Sequence, residues 1–211
     1  TGCKRVRPSS AQAVRKATAA DIPAMNRFIQ ALAEHYQFLP AYNFWDLEAG
    51  LPYFSGLKIG DFLVLVDKDE EVLGLVGLWN QKSFKQTRVV DYSRSVALFR
   101  PFYNAWSRIN GGFIIPAKGN TFDYYALHSP LTHPNNKDGF RDLLHSAWQH
   151  VLARGSRAMT LTLSNEDPRC AVLDEFRTIP LKATQYTVAF KDEFQPVLDG
   201  RRIPYFESGR L

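Results

Sequence analysis

Little in this chain points to a special scaffold. It has only two cysteines, Cys3 and Cys170, far apart and with no Cys or His pair at metal-ligand spacing, so neither a zinc site nor a disulfide framework is expected. Long apolar runs are missing too. Phe62 to Val66 and Val72 to Trp79 are bounded or broken by charge, glycine and polar residues, which argues against a membrane-spanning helix. No charged-then-apolar leader opens the sequence, so the cytoplasm is the expected compartment; Thr1 is not an initiator, so a trimmed chain or a fragment is expected. Charge is modest, with 26 Lys and Arg against 21 Asp and Glu, a net +5. The excess suits an anionic ligand, but the positive residues are scattered rather than interleaved with aromatics on one face, and nucleic acid is not an expected partner.

What is present is a full core. Apolar residues make up 45% and aromatics 13% of 211 residues, enough to fold alone. At roughly 150 residues per domain this length gives one enlarged domain. Lys4, Arg5 and Arg7 mark residues 1–10 as a basic leader or linker, leaving 11–211 as the domain.

The pattern along the chain is α/β. Ala13 to Ala17 reads as a strand, and Thr18, Asp21 and Pro23 as a helix start. Ile22, Met25, Phe28, Ile29, Leu32 and Tyr36 then form a helical stripe that ends before Pro40. Phe44 to Phe54 suggests a second helix, stopped by Ser55 and Gly56. Phe62 to Val66 and Val72 to Leu78, joined by the polar turn Asp67 to Glu70, read as a hairpin. Tyr124 to Leu127 is the next strand and Ser129 to Gly139 a loop. Phe140 to Leu152 repeats at helical spacing until Gly155. Ala158 to Leu163 and Ala183 to Phe190 alternate as strands, Pro168 to Phe176 reads as a short helix, and the tail from Ile203 to Gly209 as an edge strand. Between Gln81 and Phe122, Arg88, Arg94, Arg100 and Arg108 accompany Phe99, Phe102, Tyr103 and Trp106, which predicts a helical excursion.

Order and local sequence together resemble the GNAT superfamily of acyl-CoA-dependent N-acetyltransferases. Val14-Arg15-Lys16-Ala17-Thr18-Ala19-Ala20-Asp21-Ile22-Pro23 is similar to that family's first strand and helix start. Phe62 to Leu78 resembles its central hairpin, with Glu71-Val72-Leu73-Gly74 at the turn. Leu131-Thr132-His133-Pro134 resembles the end of its fourth strand, Phe140 to Gly155 its cofactor helix, and Leu161 to Asn165 its fifth strand. The resemblance implies a mixed β-sheet flanked by helices, with residues 82–122 inserted between strands 3 and 4. Trp79-Asn80-Gln81, Lys85-Gln86 and Arg100-Pro101-Phe102-Tyr103-Asn104 also resemble bacterial proteins with two GNAT-like domains, of which this would be the C-terminal copy beside a sister domain.

The resemblance implies acyl transfer from acetyl-CoA, or another acyl-CoA, to the amine of a small molecule or peptide. Pantetheine would lie beside the fourth strand as an added strand, and amides opening the next helix would cradle the diphosphate. That places Leu131, Thr132, His133, Asn135, Asn136, Lys137, Asp138, Gly139, Phe140 and Asn165 at the cofactor. The family's phosphate loop is Gln or Arg, two residues, Gly, one residue, then Gly or Ala; here only Gly139 survives, one place out of register. Asp138 would face the diphosphate, at a cost of roughly 4 kcal/mol for like charges about 4 Å apart at an effective dielectric near 20. Read from its own neighbours, Asp138 is instead a helix N-cap and Asn135 and Asn136 are turn residues. Pro130 stands where an amide would polarise the thioester carbonyl, and proline has no N–H to give; such a loss lowers rate by about two to three orders of magnitude. Val172 falls where a thiolate-protonating tyrosine is usual.

For the proton of the amine, His128 is the leading candidate base, with Tyr125 and Glu166 as further candidates. The alternative for His128 is a histidine that satisfies a backbone carbonyl at a strand end. His145 and His150 lie off the apolar face of their helix and should be solvated. Trp79, Tyr103 and Trp106 could wall a pocket or pack as core. No metal is expected. Two functions remain open: an N-acyltransferase, or a degenerate noncatalytic GNAT-like module that binds a ligand or supports a sister domain.

Overall fold

The computed structural model describes residues 12–186 and 199–210. The expected leader 1–10 and Cys3 lie outside the described residues. The five-stranded mixed sheet consists of β1 (Gln12–Lys16), β3 (Phe62–Asp67), β4 (Val72–Trp79), β5 (Tyr125–Thr132) and β6 (Met159–Thr160), in the order β1-β3-β4-β5-β6. Neighbours are antiparallel except β5 and β6, which are parallel. That parallel pair is joined by α4 (Lys137–Ala153), as a parallel connection requires a crossover. A separate two-stranded parallel ladder pairs β2 (Tyr36–Gln37) with β7 (Ile203–Pro204).

Alternation along β3 divides the core between the two faces of the sheet. Phe62, Val64 and Val66 point to a cluster built with Ile22, Met25 and Ile29 of α1 (Ile22–Leu32). Leu63 and Leu65 point to the other, built with Phe140, Leu143, Leu144, Ala147 and Val151 of α4. The result is three layers, helix, sheet, helix, with both faces of β3 covered. The start of α1 is fixed by charge. The Asp21 carboxylate accepts the Thr18 amide at 2.7 Å and both arms of the Arg15 guanidinium at 2.8 and 2.9 Å. The Arg15 hydrogen bonds hold its pKa down to about 2.

Several expected boundaries shift, each for a local reason. The α1 stripe extends to Tyr36, but the helix ends at Leu32 because Tyr36 and Gln37 pair with β7. In the second expected helix Gly50 adopts a left-handed φ of +66°, which splits it into α2 (Trp45–Glu48) and a 3-10 turn at Pro52–Phe54. Ser129 to Thr132, expected as loop, stay in β5, all eight residues of which are buried. Helix α4 opens at Lys137 instead of Phe140, since Asn136 caps it. The strand expected over Ala158 to Leu163 is reduced to two residues, because β6 leaves β5 after two rungs. Pro168–Glu175 is 3-10 rather than α-helical. Residues 183–186 are exposed and irregular rather than a strand, and 187–190 lie outside the described residues. The expected tail strand forms, but joins β2 and not the main sheet.

The segment between β4 and β5 holds α3 (Arg94–Asn110), capped by the Ser93 hydroxyl accepting from the Val96 amide. Its buried residues are polar: Asn104 clamps the Ile115 backbone through both amide groups at 2.8 and 2.9 Å, and Ser107 is fully enclosed. Phe99, Phe102 and Ile109 face outward. No helix among the described residues is long and apolar enough to cross a membrane.

Candidate functional site at the bulge of strand β5

The register between β4 and β5 breaks once. Leu75 sits opposite Leu131 and Gly77 opposite His128, so two steps on β4 answer three on β5. The extra residue is a β-bulge at Ser129 and Pro130. Ser129 takes a left-handed φ of +47°, costing about 1–2 kcal/mol for an L residue, and a bulge is where a strand tolerates a proline. Beyond it the alternation is reversed. Ala126 and Leu131 both join the α1-side core, although regular pleating would separate them.

Two side chains take the backbone groups of the bulge. The Ser129 amide donates to Glu207 Oε2 at 2.7 Å. The Pro130 carbonyl accepts from Arg169 Nη1 at 3.1 Å. Glu207 arrives on the segment after β7, whose ladder with β2 is extended by the Tyr205 amide donating to the Gln37 carbonyl at 2.9 Å. The same Oε2 accepts the Tyr205 hydroxyl at 2.8 Å and the Tyr42 hydroxyl at 3.4 Å. Oε1 is buried with no hydrogen-bond partner among the described residues. Burial pushes the Glu207 pKa above its ordinary value, against the opposing pull of these donors.

His128 is fully enclosed. The rings of Tyr42, Phe54, Phe62 and Trp79 stand 5.0 to 5.8 Å from its own. Room for it depends on Gly77, where a Cβ would meet the Phe62 ring at 2.9 Å and His128 Cβ at 3.2 Å. Its Nε2 faces Arg210 Nη2 at 3.2 Å and its Nδ1 faces Ser129 Oγ at 2.9 Å. A guanidinium can only donate, so Nε2 carries the lone pair and Nδ1 the proton. Burial first, and the Arg210 charge second, lower the His128 pKa to about 3. The imidazole is therefore neutral at physiological pH.

The Arg210 guanidinium carbon lies 5.0 Å from the centre of the Tyr42 ring, 5.3 Å from those of Tyr53 and Phe54, and 5.8 Å from that of Trp79. Among the described residues no carboxylate lies within 4 Å of it.

Arg169, from the 3-10 segment after β6, is also fully buried. It is paired with Asp167 through Nε and Nη2, the closest contact 2.6 Å, and its guanidinium carbon lies over the rings of Phe140 at 4.5 Å and Tyr36 at 5.2 Å. This pair stands beside β5 where β6 has already diverged.

At the opening of α4 the N-cap is Asn136, not Asp138. Its side chain accepts the Gly139 amide at 2.9 Å and its carbonyl the Phe140 amide at 3.1 Å. A Cβ on Gly139 would come within 2.6 Å of that side chain and 2.5 Å of Leu65, so the glycine is required by packing. Asn136 is thus a cap rather than a plain turn residue. Asp138 is exposed and pairs with Arg141, which also binds Glu175 at 2.7 Å. The Asn135 amide donates to His133 Nδ1 at 3.2 Å, and Thr132 is buried with its hydroxyl turned to the carbonyls of His133 and Asn136. Lys137 is exposed and Leu131 is buried in the core.

The three candidate proton carriers do not meet. Tyr125 belongs to the α4-side core, under the Arg154 guanidinium at 5.6 Å, whereas His128 joins rings of the α1 side. Glu166 and Asn165 are exposed in the turn after β6. His145, expected to be solvated, packs on Phe176 with ring centres 4.7 Å apart. Trp79 is core, while Tyr103 and Trp106 lie on α3. Cys170 is free and half-buried, and no cluster among the described residues could hold a metal. Sequence reasoning missed Tyr42, Asp167, Arg169, Tyr205, Glu207 and Arg210. Only Asp167 and Arg169 left a trace, an Asp-Pro-Arg turn in a segment that also supplies core residues.

No protein-family model and no curated protein matches the sequence. Among solved structures, the chain is similar to an acetyltransferase of Trypanosoma brucei, with 11% identity, a TM-score of 0.46, and 83% of this chain and 99% of that one covered. It is also similar to glucosamine-6-phosphate N-acetyltransferase of Arabidopsis thaliana, with 10% identity, a TM-score of 0.45, and 84% and 99% covered.

Proposed function

We propose that the chain is an acyl-CoA-dependent N-acyltransferase of the GNAT kind, transferring an acyl group, acetyl in the simplest case, to a small-molecule or peptide amine. The observation that carries this reading is the bulge of β5 beside the diverging β6. It turns one backbone donor, at Ser129, and one acceptor, at Pro130, out of the ladder on the strand that leads into α4. An extended pantetheine arm would take such a pair as an added strand does, with its diphosphate at the helix start. Residues 82–122 would then be an insertion before the cofactor strand.

The reaction is a direct one. The amine nitrogen attacks the thioester carbonyl carbon, the C–S bond breaks, and the amine proton passes to a base. His128 is the candidate nearest the bulge, but its Nε2 accepts from a guanidinium and burial lowers its pKa to about 3, so solvent water takes the proton. A thiol leaving group of pKa about 8.5 departs without the missing tyrosine.

The cleft is closed as it stands. Glu207 holds the Ser129 amide, Arg169 the Pro130 carbonyl, and Asn136 the Gly139 amide. Acyl-CoA would have to displace the Glu207 and Asn136 side chains and share or displace Arg169 at the Pro130 carbonyl. Those contacts favour a second reading, a noncatalytic GNAT-like module serving beside a sister domain. Isothermal titration of the whole chain with acetyl-CoA separates the two. Micromolar binding, with thiol released when amine is added, is the expected result; no heat at millimolar acetyl-CoA would overturn the enzyme and leave the module.

A further inference from the structure

We infer that the ring of Tyr42, Tyr53, Phe54 and Trp79 is a recognition pocket for the guanidinium of an external ligand, and that Arg210 fills it as an internal stand-in. Four aromatic rings within 6 Å of one cation exceed what a surface arginine needs for packing. Each ring face attracts the charge through its quadrupole, most strongly where water is excluded. Three of the rings are buried, and only Tyr53, at 38%, opens to solvent. The cage holds its cation by rings and by one neutral imidazole, with no carboxylate of the described residues within 4 Å. A permanent structural arginine is usually matched by an acid, as Arg169 is by Asp167 at 2.6 Å. Arg210 has no acid that close among the described residues; Glu207 acts on it from beyond 4 Å, and the residue itself remains exposed. A planar group that donates to His128 Nε2 while lying among the rings is what the pocket selects, and a guanidinium does both.

This assignment rests on the acyltransferase reading only for the fate of the ligand. There, the acceptor class becomes amines that also carry a guanidinium, held by the cation while the amine reacts. The cage itself stands without it. The tail competes as a tethered ligand at an effective concentration in the millimolar range, so it masks external binding.

The test uses agmatine, which joins a guanidinium to a primary amine. In the whole chain with Arg210→Ala, agmatine is expected to bind saturably and at least about tenfold more tightly than to the unaltered protein, read by calorimetry. Adding Tyr53→Ala, at the open side of the cage, should weaken that binding about two- to fivefold. Should Arg210→Ala not fold, as judged by circular dichroism, Arg210→Gln carries the same expectation. Folded Arg210 variants that show no saturable agmatine binding, or binding indifferent to Tyr53→Ala, overturn the pocket. Agmatine binding without any acetyl-CoA binding keeps the pocket and removes the acyltransferase; acetyl-CoA turnover on other amines with no agmatine binding does the reverse.

Discussion

Two polar clusters meet β5 at neighbouring residues and are built on opposite terms. On one side Arg169 and Asp167 form a complete ion pair, sandwiched by Phe140 and Tyr36, with the spare guanidinium arm on the Pro130 carbonyl. On the other, Glu207 and Arg210 flank His128 without touching each other within 4 Å, and one carboxylate oxygen has no hydrogen-bond partner among the described residues. The first cluster comes from the same unit as β6 and pairs its charges in direct contact. The second comes from a distant tail, held by a two-rung ladder, and its two opposite charges act on each other only from beyond 4 Å. A matched buried pair is a staple, whereas a cation resting among rings at the surface is where, on the inference above, a ligand enters.

The largest expected effect would break the staple. Asp167→Ala leaves the fully buried Arg169 charge without its counterion, and stability should fall by about 3–5 kcal/mol in urea unfolding. A loss under about 1 kcal/mol would show that Arg169 finds water, and the two clusters would no longer differ. The next effect concerns pH. The folded pKa of Glu207 lies above its ordinary 4.5, so the native state binds this proton more tightly than the unfolded chain. Its contribution is full below about 4.5 and is lost as pH rises through the folded value, with a slope of at most about 1.4 kcal/mol per pH unit. Glu207→Gln should remove that slope, which is measured by comparing the unfolding of both proteins from pH 4 upward, roughly, on the linkage argument. Equal slopes would place Glu207 with the matched groups. The smallest effect sharpens the comparison at its edge. Asn136→Ala removes the α4 cap and should cost about 1 kcal/mol, while freeing the Gly139 amide for an anion. Thermal unfolding with and without acetyl-CoA reads both, and an unchanged Tm without ligand would mean the cap contributes nothing.

The parts of the fold legible in sequence are those whose partners are near. The hairpin β3–β4 follows from two apolar runs around a polar turn, α4 from a stripe ended by Gly155, although its cap is Asn136 and not the expected Asp138, and the α1 start from Thr18 and Asp21. Expectations slipped where a distant partner decided. Tyr36 left a helical stripe to pair with Ile203, and Ser129 to Thr132 remained strand through a bulge that proline seemed to forbid. Of the candidate site only its strand was legible: His128 lies beside the bulge of β5, enclosed by rings. The further candidates Tyr125 and Glu166 lie elsewhere, because pleating sets Tyr125 on the other face and the divergence of β6 carries Glu166 to the surface. Arg169, Glu207 and Arg210 carry no pattern of their own, since a charged residue reads as solvated until something buries it.

The sequence by itself determined an α/β domain with a covered sheet, because alternation and helical stripes record which side chains avoid water, and neither requires knowledge of contacts. Tertiary structure alone decided that β5 turns two backbone groups outward, that a tail more than seventy residues downstream answers one of them, and that an arginine rests among four rings. Those outcomes depend on distances between segments that the chain's order does not encode locally, and on burial, which turns ordinary surface charges into the strongest interactions in the molecule.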